Sequence, residues 1–508
     1  MWIIFEKKVL IFYKNLNKHK KTTEKNITFS IFKDGVISNE DDLISKPNEC
    51  KTFYNYTIVD GALKTGLGFK DIEVPASESD LDTVHNFDMA YCGITDILAI
   101  DSFRYQHLED DRYYYHINIV DQRGYLWICA VIDEVGYPVA KSNLGFSDLV
   151  STCPYRIDDY DCILYFVPSG MICSTGYSTQ KYENVPPLLS VAVHYDKFFG
   201  ITDTNRNELI YQDNLNLTTY DGADNMVIEF LDQRGAFTKL VTFNDYIYLF
   251  REFGITRISE YSTSGDFSFT HLYTSTSRIY ENSVSVCGDL VYFATRDGLY
   301  SFNGTSVNKI CEDYDVYFKN LDNTHCSACS LDGKYYLATR CDFQDDLSLG
   351  CESETGYVNN VLFEVDIETN TVDILRGVDI KKIISLDVPY FSKVVACFNG
   401  SNKAHLGELT HNGKIFTSNN QKFWTSFKTD LDYKGKMKRI KEIIMNTENA
   451  CDVVIESDLE TKTYSFEGSE KEQRQLANVV GRNFQISFKS SSAESHISKP
   501  MIVFDVIS

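Results

Sequence analysis

Proline is scarce in this chain, nine residues in 508, against 28 glycines. Few residues are therefore barred from donating to a strand ladder, which leaves room for many strands. Also lacking is any apolar run of about 18 or more residues, the length a helix needs to cross a bilayer. There is no Gly-x-Ser-x-Gly elbow, no glycine-rich phosphate loop ending in Lys-Ser/Thr, and no His-Glu-x-x-His pair. The commonest signatures of serine hydrolases, nucleotide sites and zinc peptidases are thus missing. Positive charge is short as well: 49 Lys and Arg stand against 72 Asp and Glu, a formal balance of −23. A surface that acidic repels phosphate backbones and excludes broad, non-specific nucleic-acid binding.

Aromatic residues are what the chain has in plenty. There are 33 Tyr, 33 Phe and 3 Trp, within an otherwise ordinary composition of 43% apolar and 24% charged residues. Rings of this kind fit a half-buried pleated surface, so an all-β chain is expected. The fourteen Cys carry no framework spacing, and those such as Cys129, Cys162 and Cys287 sit in apolar strand-like runs. They read as reduced, buried small hydrophobes. Cys326 and Cys329, followed by Cys341 and Cys351, lack the second close pair of a zinc site, and neither a metal nor a cofactor is expected.

Residues 1–26 join a broken apolar stretch to Lys14, Lys18, Lys20, Lys21 and Lys25. They read as a basic tail, disordered or an extension ahead of the true start, and not as a signal peptide. A β-rich segment spans 27–94. From about Thr95 strand pairs recur around Gly or Asp turns. Second strands of four-strand meanders begin at 245, 289, 334 and 393, steps of 44, 45 and 59. The long step holds a polar, acidic insertion from Cys341 to Asn360. Fainter second strands lie at Tyr113–Ile119, Cys162–Val167 and Lys197–Ile201. A period in the forties with four short strands is that of a propeller blade. The expected fold is a six- or seven-bladed β-propeller over 95–427, with a C-terminal β-sandwich-like module over 428–508. Within that module, Glu467–Asn478 reads as a surface turn-helix.

Candidate chemistry is thin. Gly66-Leu-Gly68 is a turn. Asp110-Asp111, Asp158-Asp159 and Asp345-Asp346 have the composition of a glycosidase pair but the setting of solvated loops. His405 and His411 flank a hairpin without converging. Thr417–Trp424 is loosely like the Asp-box turn of sialidase propellers, without its Asp and Gly, and reads as a blade-closing hairpin. Lys434, Lys436, Lys438, Arg439 and Lys441 form a basic strip, the one candidate contact with a neighbouring subunit. Catalytic residues are not identified.

Three segments together carry a resemblance. They are Glu49–Tyr56 leading into Gly61–Gly68, the hairpin Asp289–Gly304, and the terminal Lys438–Lys441, Gly481–Ile486 and Ile497–Pro500. In this order they resemble the propeller tail proteins of tailed bacteriophages, the tail hub, nozzle or DNA-stabilising proteins of short-tailed phages and prophages. That resemblance implies a non-enzymatic subunit, made in the host bacterial cytoplasm and located in the virion tail. It implies copies of the chain in a ring around the DNA exit channel, contact with a portal or adaptor protein, and passage of double-stranded DNA without specific binding. Two alternatives stand beside it: a carbohydrate-binding or glycosidase-like propeller, and a bacterial protein-interaction propeller.

Overall fold

In the computed structural model the described residues are 24–28, 32, 50–72, 94–106 and 113–507, apart from 133–134, 147, 158–159, 176–177, 196, 213–219, 221–225, 230, 260–266, 320, 344, 346–358, 389–390, 401–402 and 417. Almost all of them are strand or turn. The helical elements among them are two short 3-10 turns, Glu281–Ser283 and Glu312–Tyr317. The chain divides into two compact units, residues 67–420 and residues 1–66 with 421–508.

The first unit is a seven-bladed propeller. Blades 1 to 6 are four-stranded antiparallel meanders over residues 97–143, 151–182, 188–229, 237–274, 285–310 and 327–376. The local signals are those of hairpins. In blade 4, Asn244 and Asp245 take φ of 46° and 60°, the left-handed pair that a two-residue hairpin turn requires. They join Phe237–Phe243 to Tyr246–Arg251. The latter strand is near-continuously apolar because both of its faces are covered.

Blade 7 closes the ring with a strand from elsewhere in the chain. Asp379–Val388, Phe391–Gly400 and Lys403–Thr410 supply three strands, and the fourth is Gly68–Asp71, Phe69 pairing with Leu409. Lys414–Ile415 lies outside Gly68–Asp71. Between blades 7 and 1, Leu386, Val395, Cys397 and Leu406 pack with Ile97, Ile100, Ile117 and Ile119. Blades 5 and 6 meet through stacked Tyr292 and Tyr335, ring centroids 5.3 Å apart. Such closure covers apolar faces of neighbouring blades among the described residues.

A polar stitch accompanies each interface near the inner strands. Thr152 Oγ1 donates to Asp101 Oδ1 at 2.8 Å, joining blades 1 and 2, and Ser151 Oγ to the Leu188 carbonyl at 2.5 Å, joining 2 and 3. Leu240 N donates to Ser190 Oγ at 3.0 Å, and Lys239 Nζ to the Val284 carbonyl at 2.8 Å. Ser285 and Ser330 share a hydrogen bond of 2.8 Å, Ile383 N donates to Ser327 Oγ at 3.1 Å, and Ser102 Oγ to the Ser385 carbonyl at 3.4 Å. The short side chains of the first strands thereby fasten blade to blade around the axis.

The second unit is a two-sheet sandwich. One sheet runs Tyr56–Val59, Ala62–Thr65, His496–Ile507, Met437–Thr447, Gln473–Gly481, with Glu24–Thr28 also on His496–Ile507. The other runs Cys50–Tyr54, Lys422–Ser426, Phe484–Ser490, Cys451–Ser457, Thr461–Phe466. Buried Trp424 meets Phe32 at 5.0 Å and Phe488 at 5.7 Å between ring centroids.

Four expectations change here. The 27–94 segment is not a unit of its own: its strands from 50 to 65 belong to the sandwich and Gly68–Asp71 to blade 7, because alternation reveals a strand but not its partner. Glu24–Thr28 is a paired strand, so regular structure reaches back into the segment read as a basic tail; residues 1–23 of that tail lie outside the described residues. Trp424 is a sandwich core residue and no part of a blade hairpin. Gln473–Gly481 is an edge strand where a turn-helix was expected; it is polar because alternate side chains face out, Leu476 at 83% exposure among them.

Candidate functional site

The first strands of the blades enclose an axial cavity of about 510 Å³, within the size range of small-molecule sites. Leu98, Ile100, Val150, Leu189, Leu240 and Ile383 give it apolar walls. Into these walls the sequence sets charged residues: Asp101 on Ile97–Gln106, Lys239 on Phe237–Phe243, Lys382 on Asp379–Val388 and Glu281 in the turn before blade 5. Lys239, Lys382 and Glu281 line the cavity, and Asp101 is held beside the lining residue Thr152.

Burial dominates their electrostatics. It pushes the Asp101 carboxyl up to about 6, against the pull of the Thr152 hydrogen bond and of nearby Lys382. It draws Lys239 down to about 8, partly offset by Cys326 and Glu281, while Lys382 works in the same downward direction. Lys382 itself is lowered by burial, with Cys326, Asp101 and Asp96 acting the other way. The Cys326 thiol between these groups is pushed by burial up to about 12, so it stays protonated at neutral pH. Asp101 Oδ2 and Glu281 Oε2 are buried without hydrogen-bond partners among the described residues. Glu281 Oε1 lies 3.7 Å from Arg278. Several cavity hydroxyls are already engaged in fastening blades, and the charged side chains that line the cavity are Lys239, Lys382 and Glu281.

The basic strip is divided by the pleat of its strand. Lys434, Lys436 and Arg439 are exposed, and Lys441 is half-buried 3.8 Å from Asp505. Lys438 points inward, fully buried, and donates to the carbonyls of Asp430 at 2.7 Å and Tyr433 at 3.0 Å. It is withdrawn from the strip as a surface contact. Asp110-Asp111, Asp158-Asp159, Asp346 and Cys351 lie outside the described residues. Asp345 is bound by Arg376 through two hydrogen bonds. Cys329 packs in the core of blades 6 and 7. His405 stacks on Phe416 at 4.1 Å and lies 3.4 Å from Asp71, whereas His411 approaches Glu364 at 3.7 Å.

Glu364, Asp373 and His411 hold their ligand atoms within 4.8 Å of one another. Lys334 Nζ already pairs with Glu364 Oε1, and the hydrogen bonds of His411 and Lys334 keep this buried carboxyl below its usual range against the opposing effect of burial. The cluster therefore has its own counter-charge, and an added divalent ion would meet the Lys334 ammonium. Sequence reading passed over Asp101, Lys239 and Lys382. Their signal is a charge inside the first strand of a blade, where neighbours such as Ile100, Leu240 and Ile383 are apolar.

No family model matches the sequence, and no curated protein matches it. Among solved structures the chain is similar to PorZ of Porphyromonas gingivalis, described as an essential bacterial surface component of the type-IX secretion system. The identity is 12% and the TM-score 0.34, over 69% of this chain and 50% of that one. The chain thus spans about half the length of PorZ. It is also similar to BamB from Moraxella catarrhalis, at 11% identity and a TM-score of 0.35, over 76% of this chain and 97% of that one.

Proposed function

We propose that this chain is a non-enzymatic structural subunit of a phage or prophage tail, located in the virion, with copies of itself forming part of a ring around the DNA exit channel. The observation that carries this reading is non-local closure. Blade 7 takes its fourth strand from Gly68–Asp71, and the sandwich unites strands from 50–65 with strands from 422–507. A part that must resist axial load without unzipping gains from such pairing, since peeling one strand breaks contacts far along the chain. The formal charge of −23 suits a wall past which DNA slides without adhering. The duplex passes through the ring of copies and not along the propeller axis, whose cavity is of small-molecule size. Exposed Lys434, Lys436 and Arg439 are available for a contact with an acidic portal or adaptor protein.

The deciding experiment is co-expression with candidate portal and adaptor proteins of the same genome, followed by negative-stain microscopy and by mass spectrometry of purified virions. Annular particles and a virion-borne chain are expected. A stable monomer that cleaves oligosaccharides and is missing from virions would refute the reading and favour the carbohydrate-directed alternative.

A further inference from the structure

We propose that the axial cavity of the propeller captures a small, neutral, aliphatic aldehyde as an imine on Lys239, with Lys382 as the cation that polarises the carbonyl oxygen. Three observations carry this. First, both lysines line one cavity of about 510 Å³, and neither side chain is closed off from solvent. Second, their hydrogen bonding is incomplete. Lys239 Nζ donates to the Val284 carbonyl at 2.8 Å, which steadies the end of the side chain and leaves its other positions for a guest. Lys382 lines the cavity and makes no hydrogen bond or ion pair among the described residues, so its donors can serve a carbonyl oxygen. Third, the surroundings suit a neutral guest and an uncharged amine. Leu98, Ile100, Val150, Leu189, Leu240 and Ile383 form apolar walls. Lys239, Lys382 and Arg278 are balanced by Glu281, Asp101 and Asp96, so there is no excess charge to hold an ion. A lysine becomes a nucleophile when it is desolvated or set near another cation. Lys239 meets both conditions: burial draws it down to about 8, with Cys326 and Glu281 opposing and Lys382 adding to the fall. Burial lowers Lys382 too, but Cys326, Asp101 and Asp96 pull it back, which makes it the cation of the pair.

In the capture step the Lys239 nitrogen lone pair forms the N–C bond as the carbonyl pair moves to oxygen, which takes a proton from Lys382. Lys382 recovers a proton from the nitrogen, giving the carbinolamine, and donates it again as the oxygen departs as water and the C=N bond forms. Finally Lys382 takes back the iminium proton. One amine and one aldehyde give one imine and one water, with no oxidant or reductant. This inference is independent of the tail assignment.

The test is reductive trapping on the full-length protein, with butyraldehyde and cyanoborohydride at pH 7, read by peptide mass spectrometry. Lys239 should be butylated at least about tenfold faster than exposed Lys434 and Lys436, because far more of it is uncharged at that pH. Its rate should saturate with butyraldehyde concentration, the mark of binding before reaction. Lys382→Met preserves the length of the side chain and removes a poorly solvated charge, so it should fold, and it should slow trapping at Lys239 at least about tenfold. Lys382→Arg, which keeps a cation facing the carbonyl oxygen, should lose less. The wild-type map decides the site without any variant. Labelling of Lys239 no faster than of Lys434 and Lys436, preferential labelling of another lysine, a rate that stays linear in aldehyde, or undiminished trapping in Lys382→Met would each overturn the proposal.

Discussion

Arg376 and Asp345 meet fork to fork, Nη1 to Oδ2 at 2.8 Å and Nη2 to Oδ1 at 2.9 Å. The guanidinium is 1% exposed and lies 4.1 Å from the centre of the Phe343 ring. It ends the outermost strand of blade 6, while Asp345 belongs to the acidic insertion that lengthens this blade in the sequence. The insertion is thus anchored at its start by a planar pair whose cation is buried and whose anion is partly wet. Asp345→Ala removes both of these hydrogen bonds from a buried guanidinium and should cost about 2 kcal/mol. In urea unfolding, the double variant Asp345→Ala with Arg376→Met should cost less than the sum of the single variants. A loss below about 0.5 kcal/mol for Asp345→Ala would show that the pair is incidental.

The inter-blade stitches make a second expectation. Ser327 Oγ accepts from Ile383 N in a buried setting, so Ser327→Ala leaves a backbone donor without a partner. A loss of about 1 to 2 kcal/mol is expected. Thr175→Ala, which removes an exposed hydrogen bond to Ser178, should stay within about 0.5 kcal/mol. Equal effects from the two, measured by chemical denaturation, would deny the girdle its role in holding the ring.

Closure through Gly68–Asp71 can be probed at Phe69, which is fully buried between blades 6 and 7. Phe69→Ala should cost about 3 to 5 kcal/mol. Its distinguishing mark is local. In hydrogen exchange, a peptide covering Lys403–Thr410 should lose protection well before one covering Tyr246–Arg251 in blade 4, because only the former pairs with the weakened strand. Uniform loss across all blades would mean that the ring opens as one unit and has no seam.

These elements differ in how far the sequence exposes them. Blades 4 to 6 are legible because Asn244-Asp245 and Asp332-Gly333 mark hairpins and the flanking strands alternate or run apolar. All seven second strands can be found this way, including those at Cys162 and Lys197. What stays hidden is pairing between distant segments: nothing local in Gly68–Asp71 says that it completes a blade ending at Thr410. Burial of single polar residues is hidden too. Lys438 has the look of its basic neighbours until the pleat turns it inward, and Asp101 is a lone carboxylate in a strand until the ring surrounds it. The axial site therefore comes from the closed topology and not from a motif.

Two carboxylates set opposite pH dependences. Asp232 is held down to about 2: burial alone would raise it, but the Arg234 backbone N–H and the buried Arg251 guanidinium outweigh that. Its folded pKa is below its unfolded one, so its contribution to stability is present above about pH 4 and lost as pH falls through 2. Asp101 is pushed the other way, to about 6, chiefly by burial. The folded state binds its proton more tightly than the unfolded chain, so charging Asp101 destabilises the fold progressively as pH rises from about 4 through 6, and by a constant amount above. A shift of this size corresponds to about 2 to 3 kcal/mol. Asp101→Asn keeps an acceptor for Thr152 and has no charge to desolvate. Compared with wild type in the same buffer, it should be more stable by about that amount at pH 8, with the gap closing by pH 4. A gap that is unchanged between those two pH values would show that Asp101 has the same proton affinity in the folded and unfolded chain. The axis would then be far wetter than the enclosing strands imply.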